Sequence, residues 1–111
     1  MHYSIVPIAN LLNGLNPGTI LTAKVVMHLD RPTEVPQSFL VMDSAQVFAV
    51  VSIYHTNNTL REEMKAGDLI HIKNPQLIFT SLDFKGRMYS YNCIKVGQLT
   101  DVLINQEPLI N

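Results

Sequence analysis

From Thr19 to Leu29 the chain reads TILTAKVVMHL, and no other stretch constrains the fold as much. Leu21, Ala23, Val25, Met27 and Leu29 fall on one side of an extended backbone; Ile20, Thr22, Lys24, Val26 and His28 fall on the other. A period of two belongs to a strand, because successive side chains leave a pleated backbone on opposite faces. The β-branched residues in the run reinforce that assignment. Asn16-Pro17-Gly18, directly before it, supplies a turn, since proline presets φ and glycine accepts positive φ.

The remaining elements follow in order. Upstream, Ile5, Ile8, Leu11, Leu12 and Leu15 lie near helical spacing, which predicts a short turn or helix closing one mouth of the fold. Asp30 to Pro36 carries two prolines and reads as a loop. Gln37–Asp43 and Gln46–Tyr54 then form two strands around a tight hairpin at Asp43-Ser44-Ala45-Gln46, which lacks the Asn-Gly or Asp-Gly of the commonest type. Both strands are apolar at nearly every position, so either both faces are buried or one faces the core and the other a partner. A short helix is expected next, capped by Asn57 or Asn58, with Glu62 and Glu63 early, Lys65 late and Gly67 stopping it. Its apolar residues Leu60 and Met64 lie four apart, enough to plug one end of a barrel. Leu69–Lys73 is a strand, Asn74-Pro75 breaks it, and Gln76–Phe84 continues extended to a Lys85-Gly86 turn. Met88–Val96 is the last main strand, and the tail forms a short hairpin with its turn at Asn105-Gln106.

Long strand, loop, hairpin, helix, strand, loop, strand is the order of an all-β, five-stranded Greek-key barrel of the oligonucleotide/oligosaccharide-binding (OB) type, with one short helix between strands 3 and 4. An SH3-like barrel has only a tight turn where the helix falls. A ferredoxin-like fold needs a helix after the first strand, where residues 31–36 form a loop. Residues 1–111 are thus expected to be one OB-fold domain, with 1–15 as lead-in and 98–111 as tail.

The chain's 47% hydrophobic residues give that barrel ample core, and 8 basic against 9 acidic residues leave a formal net charge of -1. Sequence-blind phosphate binding usually shows as a strongly basic domain, and this chain is not one. One cysteine, Cys93, excludes an internal disulfide and any cysteine metal cluster. His2, His28, His55 and His71 show no metal-ligand spacing, Ser52 and Ser90 lack a nucleophile-elbow context, and Lys85-Gly86-Arg87 is a hairpin tip, not a phosphate loop. The expectation is a protein without catalysis, cofactor, metal or small-molecule substrate. Met1-His2-Tyr3-Ser4 has no signal-peptide character, and no apolar run approaches the roughly 18 residues of a membrane span. An intracellular setting, nuclear or cytoplasmic, is expected.

Several strings, in order and at compatible spacing, resemble the C-terminal OB domain of the tetratricopeptide repeat protein 5 (Strap) family. They include Leu15-Asn16-Pro17-Gly18-Thr19, Leu40-Val41-Met42-Asp43-Ser44, Ala66-Gly67-Asp68-Leu69-Ile70, Asn74-Pro75-Gln76-Leu77 and Lys85-Gly86-Arg87-Met88-Tyr89-Ser90-Tyr91. The resemblance runs over roughly residues 15 to 109. It implies a regulatory cofactor in which this domain follows a repeat array, active in stress-responsive transcription and in tubulin messenger RNA decay. These 111 residues hold no repeat array, so functions of the repeats do not carry over. The family's Asn-Gly near the C-terminus is replaced here by Asn105-Gln106.

Two partners fit such a barrel. A protein partner needs a surface that is apolar and aromatic with little charge at its centre, which Leu40-Val41-Met42 and Val47–Val51 could supply. Single-stranded nucleic acid needs aromatic faces for bases and cations for phosphates. Candidate residues for either are Phe39, Phe48, Tyr54, Tyr89 and Tyr91, with Lys24, Arg31, Lys73, Lys85 and Arg87. The bland alternative is that the phenylalanines are core and the cations merely solvated. The near-neutral charge and the lack of tryptophan favour that alternative over nucleic acid, and a neutral chain with an apolar face on strands 2 and 3 leans towards a protein partner.

Overall fold

The computed structural model describes residues 3–29, 37–54, 64–96, 98–105 and 107–108. Its strands are β1 (Ser4–Ile5), β2 (Gly14–Leu15), β3 (Thr19–His28), β4 (Gln37–Met42), β5 (Phe48–Ile53), β6 (Leu69–Lys73), β7 (Gln76–Phe84), β8 (Arg87–Val96), β9 (Val102–Ile104) and β10 (Glu107–Pro108). The five expected strands are β3, β4, β5, the β6–β7 pair divided at Asn74-Pro75, and β8. The expected helix over residues 57–65 and the loop bearing Arg31 fall almost wholly outside the described residues. Upstream, the short closing element is a 3-10 turn at Ile8–Asn10.

The alternating run is the backbone of the barrel. Leu21, Ala23 and Val25 of β3 are buried, as the period of two requires. Residues Ile20–Lys24 pair antiparallel with β6, and Lys24–His28 pair with β4. The register shifts between Val25 and Met27, a bulge that bends β3 so one strand serves both halves. Gly67 anchors the bend, donating its N–H to the Val25 carbonyl at 2.8 Å while the Val25 N–H donates to Asp68 at 2.8 Å. The shift also turns His28 inward. Its ring packs edge-on to Phe39 at 4.6 Å, and Nε2 donates to the Met64 carbonyl. β4 and β5 form the hairpin, and β5 runs parallel to β8 from Val50↔Cys93 to Ile53↔Val96, the Greek-key closure. Phe39, Val51, Ile53, Ile70, Ile72 and Ile94 meet in the core at 1% exposure or less.

Among the side chains that hold the loops, Asp43 and Asn16 make the most bonds. The Asp43 carboxylate accepts from the Ala45 and Val47 N–H groups at 3.0 Å each, and Gln46 takes φ 64°. That Asx-type closure does the work of the missing Asn-Gly. Its other oxygen accepts from the buried Ile8 N–H at 2.9 Å, pinning the lead-in to the hairpin. Asn16 is the second hub: its Oδ1 accepts from Leu12, and its Nδ2 lies within 3.1 Å of the Leu12, Gly14 and Pro75 carbonyls. The tail hairpin forms as expected, β9 against β10, and β9 also pairs with β6.

Candidate interaction face

The outward face of β3, β4, β5, β8 and β7 is built by the same alternation that builds the core. Where Val41, Val51 and Ile94 point in, their neighbours point out. Met27, Leu40, Val50, Cys93 and Ile78 are successive Cα partners across the five strands, one continuous apolar row. The row beside it holds Lys24, Met42 and Phe48. Extending the β5–β8 register by two residues brings Phe48 level with Tyr91, which pairs with Thr80. The row on the other side is polar: Ser38 and Ser52 share a hydrogen bond at 3.1 Å, and Ser52 reaches the Cys93 sulfur at 3.5 Å. The apolar hairpin thus has one face in the core and one turned outward.

Beyond residue 92 β8 is anchored to β5; before it, β7 and β8 continue as a two-stranded arm. A two-residue turn closes the arm, with φ 53° at Lys85 and 79° at Gly86, the pair of positive angles that follows the twist of the strands. Tyr89 and Tyr91 are exposed on one side of this arm, Phe79 and Met88 on the other.

The charges that the described residues place on the face are all of one sign. Lys24 stands at one corner, Arg87 near the tip of the arm, and Lys95 at the opposite end, where its ammonium lies 5.1 Å from the centroid of the Tyr54 ring. No carboxylate among the described residues projects from it. Asp43 is buried and turned to its amides, and Asp83 pairs with Met88 on the other side of the arm. Asp68, on a distant turn, has its carboxyl held below the usual range chiefly by the Lys65 backbone N–H, then by Asn105.

Of the ten residues singled out from the sequence, Lys24, Phe48, Tyr54, Arg87, Tyr89 and Tyr91 lie on this face or its arm, and Lys85 forms the arm's turn. Phe39 does not. Leu40 and Phe39 alternate, and the phase set by β3 sends Phe39 into the core at 0% exposure while Phe48 stays 51% exposed. Lys73 is on β6, off the five-strand face: it lies 5.7 Å from the Tyr3 ring and, with Lys95, lines a 220 Å³ hollow. Arg31 is outside the described residues. Sequence patterning does not single out Met27 and Ile78, whose outward position depends on the bulge and on the parallel β5–β8 register. The ten also omit Lys95, which odd-even alternation from Ile94 and Val96 could have found.

Three comparisons bear on this arrangement. The OB domain of a Methanosarcina mazei protein, solved by solution NMR, superposes with a TM-score of 0.63 over 98% of this chain and 90% of that one. At 14% identity that likeness concerns the fold alone. Tetratricopeptide repeat protein 5 of mouse is 28% identical over 108 residues, covering 97% of this chain, and the human protein is 28% identical over 102 residues, covering 92%. The chain spans only 24% and 23% of the length of those two relatives. The family model for the tetratricopeptide repeat protein 5 OB fold domain matches residues 2–111, and the chain belongs to that family.

Proposed function

We propose that this OB domain is a non-catalytic interaction module that binds a protein partner across the outward face of β4, β5 and β8. The observation that carries the reading is the five-strand apolar row, rimmed by cations and bearing no carboxylate among the described residues. An apolar row flanked by aromatic side chains has the composition of an interface core. Kinship with tetratricopeptide repeat protein 5 supports a place in a regulatory cofactor of stress-responsive transcription or messenger RNA regulation, in the nucleus or cytoplasm.

A second reading has its own support: Phe48, Tyr54, Tyr89 and Tyr91 share the face with Lys24, Lys95 and Arg87, the pairing of rings and cations that single-stranded nucleic acid uses. A labelled oligothymidylate, followed by fluorescence anisotropy at about 50 and about 150 mM salt, separates the two. The protein reading expects little binding at either concentration. Saturable binding that persists at the higher salt, and that Tyr91→Ala removes, overturns it in favour of nucleic acid.

A further inference from the structure

We propose that the groove beside Lys24 receives a segment of the protein partner in which an apolar side chain is followed closely by a carboxylate. This rests on the protein-binding reading above and names the chemistry of the partner. The groove, of about 890 Å³, opens on the outer side of β3. Ile5 and Pro7 wall it on one side, Leu69 and His71 of β6 on the other, and Met42 with the following turn closes its end. Ile5 is 77% exposed and Leu69 41%, so the walls leave apolar surface in water that a buried side chain would cover.

Lys24 sets the charge of what fits. Its Cα partners are Met42 on β4 and Leu69 on β6, which place the one cation that the described residues bring to the lining between two apolar walls. It has no ion pair among the described residues. Asp43, the single carboxylate of the lining among the described residues, is already engaged by the Ile8, Ala45 and Val47 amides at 2.9 to 3.0 Å. His71 is bonded through Nδ1 to the Thr22 hydroxyl at 2.9 Å. Lys24 is itself exposed, so its attraction for an opposite charge strengthens when an apolar side chain seated beside it displaces water. A basic group here faces Lys24, while the Asp43 oxygens are already taken by three amides. Lys24 and Met42 belong to the groove and also to the row containing Phe48, so one extended segment can lie across the face and end in the groove.

The test uses the whole 111-residue chain and three fluorescein-labelled probes. One is a peptide of about 12 residues alternating Leu and Phe with Asp and Glu, the second carries Lys at each acidic position, and the third is an oligothymidylate. The acidic peptide is expected to bind saturably and to shift the amide resonances of Met42 and Leu69, and the basic peptide is expected not to bind. Lys24→Glu should weaken the acidic peptide by about tenfold or more, Lys24→Gln by less, and Lys73→Glu should leave it unchanged. Equal binding of acidic and basic peptides overturns the proposal, as does the absence of saturation by the acidic peptide. If Phe48→Ala abolishes binding of the acidic peptide while Lys24→Glu does nothing, the groove assignment falls and the protein-binding reading survives. If the oligothymidylate alone binds, both fall.

Discussion

Replacing Asp43 by alanine should cost this domain much of its stability, although the residue lies in a surface hairpin. The side chain is 5% exposed and accepts three backbone N–H groups, one from buried Ile8, 35 residues away in sequence. Losing the bond to Ile8 leaves a buried donor without a partner, worth about 1–3 kcal/mol, and the two turn amides add about 1 kcal/mol each. The expected loss is therefore about 3–5 kcal/mol, of the order of a small domain's whole stability. Asp43→Asn should fall between, because its amide oxygen can still serve Ala45 and Val47 while its NH2 group faces the Ile8 donor. Urea denaturation followed by far-ultraviolet circular dichroism measures this directly: the midpoint falls and the slope stays constant if stability alone changes. The same change should free Ile5 to Pro7, one wall of the groove, so their amides should exchange faster even where the barrel persists. An alanine variant within about 1 kcal/mol of the parent would refute the role given to this carboxylate.

The other predictions are smaller in scope. Phe39→Ala should cost about 3–5 kcal/mol in the same denaturation assay, whereas Phe48→Ala, on the same hairpin but half-exposed, should cost less than about 1 kcal/mol. Gly86→Val should destabilise the arm alone, seen as faster amide exchange at residues 78–91 with the barrel's core amides unchanged, because a β-branched residue is strained at φ 79°. The Asp68 carboxyl titrates below its unfolded value of about 4, so its contribution is present above that pH and is lost as pH falls through its lower folded value. Urea midpoints of the parent should therefore decline relative to Asp68→Asn below about pH 4, and parallel curves would contradict the assignment.

The barrel was legible because its signals are local. The alternation in β3 needs only pleat geometry, the proline and Asn-Gly-free turns still carry Asp43 and Asn16, and Lys85-Gly86 announces a hairpin. What the sequence left open depends on contacts far apart in the chain. Phe39 and Phe48 look alike as letters in two apolar strands, and only the β3–β4 register, with its bulge between Val25 and Met27, sends one inward and leaves the other out. Cys93 is a residue type that cores favour, yet it is half-buried on the outward face, because Ile94 takes the inward position opposite Val51. Lys73 and Lys95 each follow a buried isoleucine, so alternation sends both outward, but nothing local says that one meets Tyr3 and the other Tyr54.

The central claim, that a protein partner covers the outward face of β4, β5 and β8, is tested most directly by site-specific photocrosslinking in cells. A benzophenone amino acid placed at Phe48 or Tyr91 should yield discrete protein adducts that resist nuclease, and the same group at Lys73 should yield none. Adducts at positions 48 and 91 that nuclease removes, or an identical protein pattern from position 73, would contradict it.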